Sequence, residues 1–359
     1  MQRVVNYGSF LQAYSLKKTL EMMGHCVEFI DYHVAPPIVP YNKANYIKYQ
    51  IKSLPFISNF VKKVNCYIHK ENSFYLFEYL YSKKYLKLLG VTNHKRYHSK
   101  VDLLIIGSDE VFNCLQAVPN VGFSKELFGQ YNEAASVISY AASFGFTTFE
   151  KLVELNVDKQ IRTWMSKFKS ISVRDENSMD ILAKMKIDNC QKNVDPVFLY
   201  DFEGLIPKNV PYTNYIVIYT YSGRHYTEED IELICDFAHR NDKKMLMIGK
   251  QKSWADIKIQ ADPFETLSYF IHADFVFTDT FHGTVFSIKY NKMFATLIRD
   301  DNKEKLGDLL RTFNLEERSI TDLHMLQSYF ETPIDFSITN QIIANERKRA
   351  ISYLENNTR

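Results

Sequence analysis

The sequence predicts an α/β fold of two Rossmann-like domains facing a cleft. Three observations carry that prediction. Apolar runs of strand length alternate with helical apolar spacing along most of the chain. The alternation stops at residues 202–213, which hold Gly204, Pro207 and Pro211, and then restarts, as it would across a linker. Gly107, Gly223, Gly249 and Gly283 fall at or just after apolar runs, where open parallel sheets turn toward a ligand. The 359 residues suffice for two domains, which we place at 1–204 and 205–359.

In chain order, Asn6, Tyr7 and Gly8 precede a helical pattern from Phe10 through Tyr14 to Leu20, with Gly24 as a left-handed cap. Residues 26–32 read as a strand. Only residues 1–5 precede the turn at Asn6. A central strand needs about 5–6 residues plus its turn, so a further hydrophobic strand is expected upstream. Residues 33–100 form a basic, aromatic, helical insert broken by Pro36, Pro37, Pro40 and Pro55. The insert sets twelve Lys and Arg residues against only Glu71 and Glu78. A solvated lysine face fits this composition, and so does a patch for anionic lipid or a lipid-linked saccharide.

Residues 101–106 are a buried strand ending in Gly107, Ser108 and Asp109. Ser108 and Asp109 can bind sugar hydroxyls there, or Asp109 can cap the next helix. A strand at 137–142 and a helix at 149–168 follow, leading to Ile171, Ser172, Val173, Arg174, Asp175 and Glu176. Arg174 can then meet an anion, or pair with Asp175 or Glu176.

The second half opens with a strand at 215–221 ending at Ser222, Gly223 and Arg224. A helix at 228–240 leads to a strand at 244–248 that ends at Gly249 and Lys250. Asp262 and Pro263 give a cap and a first helical turn. The richest stretch is 274–297: a short strand, the polar turn Asp279, Thr280, Phe281, His282, Gly283 and Thr284, then a helix and another apolar run. A turn at a strand's carboxyl end, ahead of a helix N-terminus, suits a carboxylate or phosphate. Gly283 would let backbone approach such a ligand closely, while His282 and Thr284 would equally serve as caps. Helices at 302–313 and 339–355 complete the chain.

Hydrophobic residues at 46% and charged ones at 24%, with a net charge of +2, describe an ordinary globule. No apolar run approaches the ~18 residues of a membrane span, and the start lacks a signal-peptide core. Cys26, Cys66, Cys114, Cys190 and Cys235 are scattered without metal-ligand spacing. That pattern argues against a metal site or a disulfide framework and for the reducing cytoplasm. Neither GxGxxG nor a Walker A motif occurs, which disfavours nicotinamide and P-loop chemistry. Nucleic acid is disfavoured as a partner because no known binding motif accompanies the basic charge.

Several of these segments together resemble the polysaccharide pyruvyl transferase family. The resemblance rests on Asn6-Tyr7-Gly8 with Leu11-Gln12-Ala13-Tyr14, on Gly107-Ser108-Asp109, on Ile171-Ser172-Val173-Arg174, on Asn193 with Asp195-Pro196, and on Thr278-Asp279-Thr280-Phe281-His282-Gly283-Thr284, all in the family's order. It covers nearly the whole chain apart from the insert and the start. Glu110 and Phe112 depart from the usual Gln and Trp. Thr280 stands where some relatives have Arg, which leaves the donor-binding arginine unassigned.

The resemblance implies a GT-B-like arrangement and transfer of the pyruvyl group of phosphoenolpyruvate, a co-substrate, to a sugar as a cyclic ketal. The acceptor would be a saccharide or lipid-linked oligosaccharide, a precursor of surface or capsular polysaccharide, and no cofactor would be needed. The N-terminal domain would be the acceptor side, with Asn6, Tyr7, Gly8, Ser108 and Asp109. The C-terminal domain would be the donor side, with Arg224, Lys250, Thr280, Gly283 and Thr284, joined by Arg174. His282 would be the acid and Asp279 a base. A glycosyltransferase of the same architecture using a nucleotide sugar, or a catalytically silent saccharide-binding homologue, are the alternatives. The enzyme would be cytoplasmic, with peripheral contact at the inner face of an anionic membrane.

Overall fold

The computed structural model describes residues 3–53, 57, 60–61, 63–64, 80–92, 94–117, 121–221, 223–249, 253–300 and 302–359. The chain forms two compact units. The first comprises Met1–Tyr200 with Glu346–Arg359, the second Asp201–Asn345.

In the first unit, β1 (Leu103–Asp109), β2 (Ser136–Ala142), β3 (Ile171–Val173) and β4 (Cys190–Lys192) make a parallel sheet in that order. β2 is buried along most of its length and β3 throughout, which is why both read as apolar runs rather than alternating ones. Ile106, Phe112, Phe144, Ile171 and Leu182 lie in one core cluster. Asn6 accepts from the Ser9 amide and starts α1 (Tyr7–Met22). The single helix expected at 149–168 is two, α3 (Phe149–Glu154) and α4 (Asp158–Met165). The chain breaks between them where Asn156 takes a left-handed φ of 56°. α5 (Glu176–Lys184) is capped by Asp175. Within the insert the structure describes α2 (Lys43–Ser53) and a helical stretch at 81–88.

Residues 26–32 are not a strand. They run past the open edge of β1, with a cavity of about 620 Å³ lined by α1, residues 25–32 and β1. Lacking a ladder neighbour, this apolar segment does not become β-structure. Asp31 ties it instead to Arg96, through a backbone bond of 2.6 Å, and to Arg3.

In the second unit, β5 (Tyr215–Tyr219), β6 (Lys244–Ile248), β7 (Ile257–Ile259), β8 (Phe275–Thr278), β9 (Phe294–Leu297) and β10 (Ser319–Ile320) form a sheet of order β10-β9-β8-β5-β6-β7, again parallel. The chain winds outward from β5 to β7, then restarts on the other side of β5 with β8. Ligands gather at such a reversal in open α/β sheets. α6 (Glu228–Arg240) and α7 (Pro263–His272) both begin with capping boxes, from Thr227 with Asp230 and from Asp262 with Glu265. These reciprocal bonds satisfy first-turn amides and fix where each helix starts. α8 (Phe281–Lys289) follows β8, α9 (Lys303–Thr312) follows β9, and α10 (Leu326–Glu331) follows β10.

The last helix, α11 (Ser337–Asn357), departs from the expected boundary, because residues 346–359 belong to the first unit. Ala350, Tyr353 and Leu354 are buried, and the Tyr353 hydroxyl donates to the Ser139 carbonyl at 2.8 Å. Among the described residues, no helix is long and apolar enough to cross a membrane.

Candidate active site

The motif residues gather into two clusters, one in each unit. In the first, the start of α1 meets the end of β1: Ser9 Oγ donates to Asp109 at 3.3 Å. Arg174, just past β3, puts Nη2 3.1 Å from Asp109 and Nη1 3.7 Å from Asp195. The Gln12 amide also donates to Asp195. Burial alone would lower the pKa of Arg174, but Asp109 and Asp195 more than offset it and hold the guanidinium above its ordinary value.

Neither pairing expected for Arg174 forms. Asp175 accepts from the Ser178 amide at 2.8 Å, and Glu176 takes Lys192 at 2.8 Å. Asp109 caps no helix; it sits at φ 74° with its carboxylate turned to Ser9 and Arg174. Gly107 at φ 145° leaves no room for a side chain, because an added Cβ would overlap the Tyr140 carbonyl oxygen. Asn6 spends its side chain on the cap, and Tyr7 and Gly8 are buried. Ser108 and Asp109 line the cavity beside β1.

The second cluster lies at the carboxyl ends of β5, β8 and β9. Asp279 is 1% exposed and accepts from the Tyr226 hydroxyl at 3.0 Å. Arg224 Nε lies 3.5 Å from the same carboxylate oxygen. Burial pushes the Asp279 carboxyl up, against hydrogen bonds from Thr220 and Tyr226 and the charges of Arg224 and Arg299. His282 is in the first turn of α8, edge-on to Phe281 at 5.5 Å and tilted against Phe286 at 6.0 Å.

The hydroxyls of the turn hold the turn itself together. Thr280 caps α8, its Oγ accepting from the Gly283 amide at 2.9 Å. Thr284 is fully buried between the Thr280 carbonyl and Thr296 Oγ, each at 3.0 Å. Packing already requires Gly283, since an added Cβ would overlap Thr278 Oγ1. Thr280, Gly283 and Thr284 thus fix the shape of the turn. Lys250 lies outside the described residues.

Sequence reasoning missed Tyr226, Arg299 and Asn302. Asn302 is buried and donates to the carbonyls of Asp279 and Leu297, both at 3.2 Å, clipping the end of β9 to the end of β8. The signal for Arg299 was a charged residue just past an apolar run, the same signal that singled out Asp279.

A family model described as polysaccharide pyruvyl transferase matches residues 6–301. No curated protein matches the sequence. Among solved structures, an O-GlcNAc transferase variant from Thermobaculum terrenum is 11% identical at a TM-score of 0.37, covering 70% of this chain and 49% of its own. This chain thus spans about half of that protein's length. A functionally uncharacterised protein from Klebsiella pneumoniae is 12% identical at a TM-score of 0.40, covering 86% of this chain and 99% of its own. The glycosyltransferase of kitacinnamycin is 9% identical at a TM-score of 0.43, covering 98% and 95%.

Proposed function

The chain belongs to the polysaccharide pyruvyl transferase family, and from that premise we propose that it transfers the pyruvyl group of phosphoenolpyruvate to two hydroxyls of one sugar in a surface or capsular polysaccharide precursor. The observation that carries the reading is the meeting of Arg224, Asp279 and the His282 turn at the crossover between β5 and β8, inside the matched span.

The chemistry sets the roles. The donor's methylene carbon gains a proton, its C2–O bond to phosphate breaks, and two C2–O bonds to the sugar form. The two sugar hydroxyls each lose a proton, one balancing the new methyl group and one leaving on phosphate. His282, at a helix start that favours anions, is the acid for the methylene carbon. Arg224 supplies a charge-assisted contact to the donor. Asp279 is the base for a hydroxyl proton. The acceptor side is the first cluster, where Asp109 and Ser108 present oxygen acceptors to hydroxyls. The exposed Ile47, Ile51 and Phe60, among exposed lysines, would hold the enzyme against an anionic bilayer carrying a lipid-linked acceptor.

Phosphate release from phosphoenolpyruvate in the presence of candidate saccharides tests the proposal. Release that requires both substrates, with an acid-labile ketal in the product, is the expected result. Nucleotide release from a nucleotide sugar would replace it with glycosyl transfer. Tight saccharide binding without turnover would leave a binding protein.

A further inference from the structure

β5, β8 and β9 are parallel neighbours, and the chain just past each bears one charged side chain of this cluster: Arg224, Asp279 and Arg299. The Arg299 guanidinium carbon lies 4.9 Å from the centre of the Tyr226 ring. The hydroxyl of that ring donates to the same Asp279 oxygen that Arg224 approaches. Asp279 thus meets Arg224 directly and lies one tyrosine away from the Arg299 guanidinium.

Arg299 is placed by its own loop. Its backbone amide donates to Asn302 Oδ1 at 2.7 Å, and Asn302 is itself fastened to the Asp279 and Leu297 carbonyls. Arg299 Nε is buried and has no acceptor among the described residues. A ring face beneath a guanidinium holds its plane but takes none of its five in-plane N–H donors. Buried donors in proteins are ordinarily satisfied, and a guanidinium whose buried Nε has no acceptor among the described residues fits an oxyanion.

We propose that Arg299 is a donor-binding residue, completing with Arg224 a two-guanidinium cradle for the phosphate or carboxylate of the enol donor. The identity of the anion rests on the pyruvyl-transfer reading above; the cradle rests on geometry. Two guanidinium groups against one carboxylate leave a net positive site, as a donor with two anionic groups requires. Thr280 carries no charge and spends its hydroxyl on the α8 cap, so that residue supplies no cation to the site.

The test uses the full chain. Calorimetric binding of phosphoenolpyruvate and of inorganic phosphate, with steady-state phosphate release, is compared for wild type, Arg299→Gln and Arg299→Lys. Arg299→Gln should weaken both anions by about 10- to 100-fold and raise the donor KM by a similar factor, while the acceptor KM stays put. Arg299→Lys keeps the charge but loses the fork, and should fall between. A purely structural stacking role would move the thermal midpoint and leave both affinities unchanged; that result in a folded Gln variant overturns the proposal. Should the Gln variant fail to fold, unchanged donor affinity in the Lys variant overturns it instead. Wild-type protein that binds phosphate through Arg299 but neither binds nor turns over phosphoenolpyruvate sinks the pyruvyl-transfer reading and keeps the cradle. Wild-type protein that binds neither anion removes the cradle.

Discussion

The two clusters use the same parts in opposite proportion. In the first unit one arginine, Arg174, stands between two carboxylates, Asp109 and Asp195, with Ser9 and Gln12 filling further positions. In the second, one carboxylate, Asp279, accompanies Arg224 and Arg299, and Tyr226 touches both Asp279 and Arg299. Both lie at carboxyl ends of parallel strands, where such a fold puts its chemistry. The ratio of charges decides what each can do. A cluster with surplus carboxylate presents acceptors and suits hydroxyl donors such as a sugar. A cluster with surplus guanidinium suits phosphate and carboxylate.

The largest effect should come from the reacting group of the cation-rich cluster. His282→Ala should lower phosphate release about 10²–10⁴-fold, roughly 3–5 kcal/mol of barrier. Donor affinity should change far less, because the guanidinium groups carry it. A folded variant with near-normal turnover would pass the acid's role to Asp279.

Stability should separate the clusters in the other direction. Arg174 is 3% exposed at its side chain, so Arg174→Met would leave Asp109 and Asp195 without their counter-charge. Removing one partner of a buried pair costs about 3–5 kcal/mol. Chemical denaturation should show that loss, whereas Arg224→Gln, at a side chain 17% exposed, should show much less. Equal losses for the two variants would erase the distinction between a closed network and an open site.

Asp279 sharpens the contrast through pH. Burial raises its pKa above the ordinary 3.8, so the folded protein holds this proton more tightly than the unfolded chain. Its contribution is fully present below 3.8 and declines as pH rises through the raised folded value. Asp279→Asn cannot lose that proton and should gain stability relative to wild type as pH rises from 4 toward 7. Denaturation curves of the two proteins that stay parallel across that range would show the carboxyl is not strained by burial.

What the sequence disclosed follows from what each signal depends on. The strand read at 215–221, observed at 215–219, and helices such as 228–240 were legible because burial on a regular element imposes a period, and Asp262 marked a helix start. Asp279 and His282 were legible because a dense polar turn interrupts two apolar runs. Arg299 was not, since its value depends on β9 lying beside β8 and on the Tyr226 ring, which reaches it from the loop after β5. Sheet order is not written in local periodicity. Residues 26–32 failed for a related reason: their composition favours a strand, but a strand exists only where a neighbour pairs with it, and across the cavity beside β1 none does. Arg174 was found as a residue, while the alternative pairing with Asp175 does not form because Asp175, adjacent in sequence, is turned to cap α5.

The smallest effects per residue belong to a third cation-rich region, and they test whether surplus charge alone makes a site. On α2, Ile47 and Ile51 are 57% and 50% exposed, one helical turn apart, and Phe60 is 68% exposed. Lys43, Lys48 and Lys63 are exposed around them, and no acidic residue occurs between Asp31 and Glu71. Nothing here resembles the cradle at Asp279, where the Tyr226 ring and the Asn302 side chain hold Arg299 in place. Exposed lysines with exposed apolar neighbours should instead attract a surface diffusely, through charge that salt screens and side chains that enter the headgroup layer. Changing Lys43, Lys48 and Lys63 to Gln should weaken sedimentation with phosphatidylserine vesicles by up to about 1 kcal/mol per residue at low salt. Ile51→Ser should weaken it as well, with less dependence on salt. Binding to neutral vesicles should stay weak throughout. If the triple lysine variant sediments like wild type at low salt, the segment is a solvated insert, and cationic surplus counts in this protein only where the fold has fixed its direction.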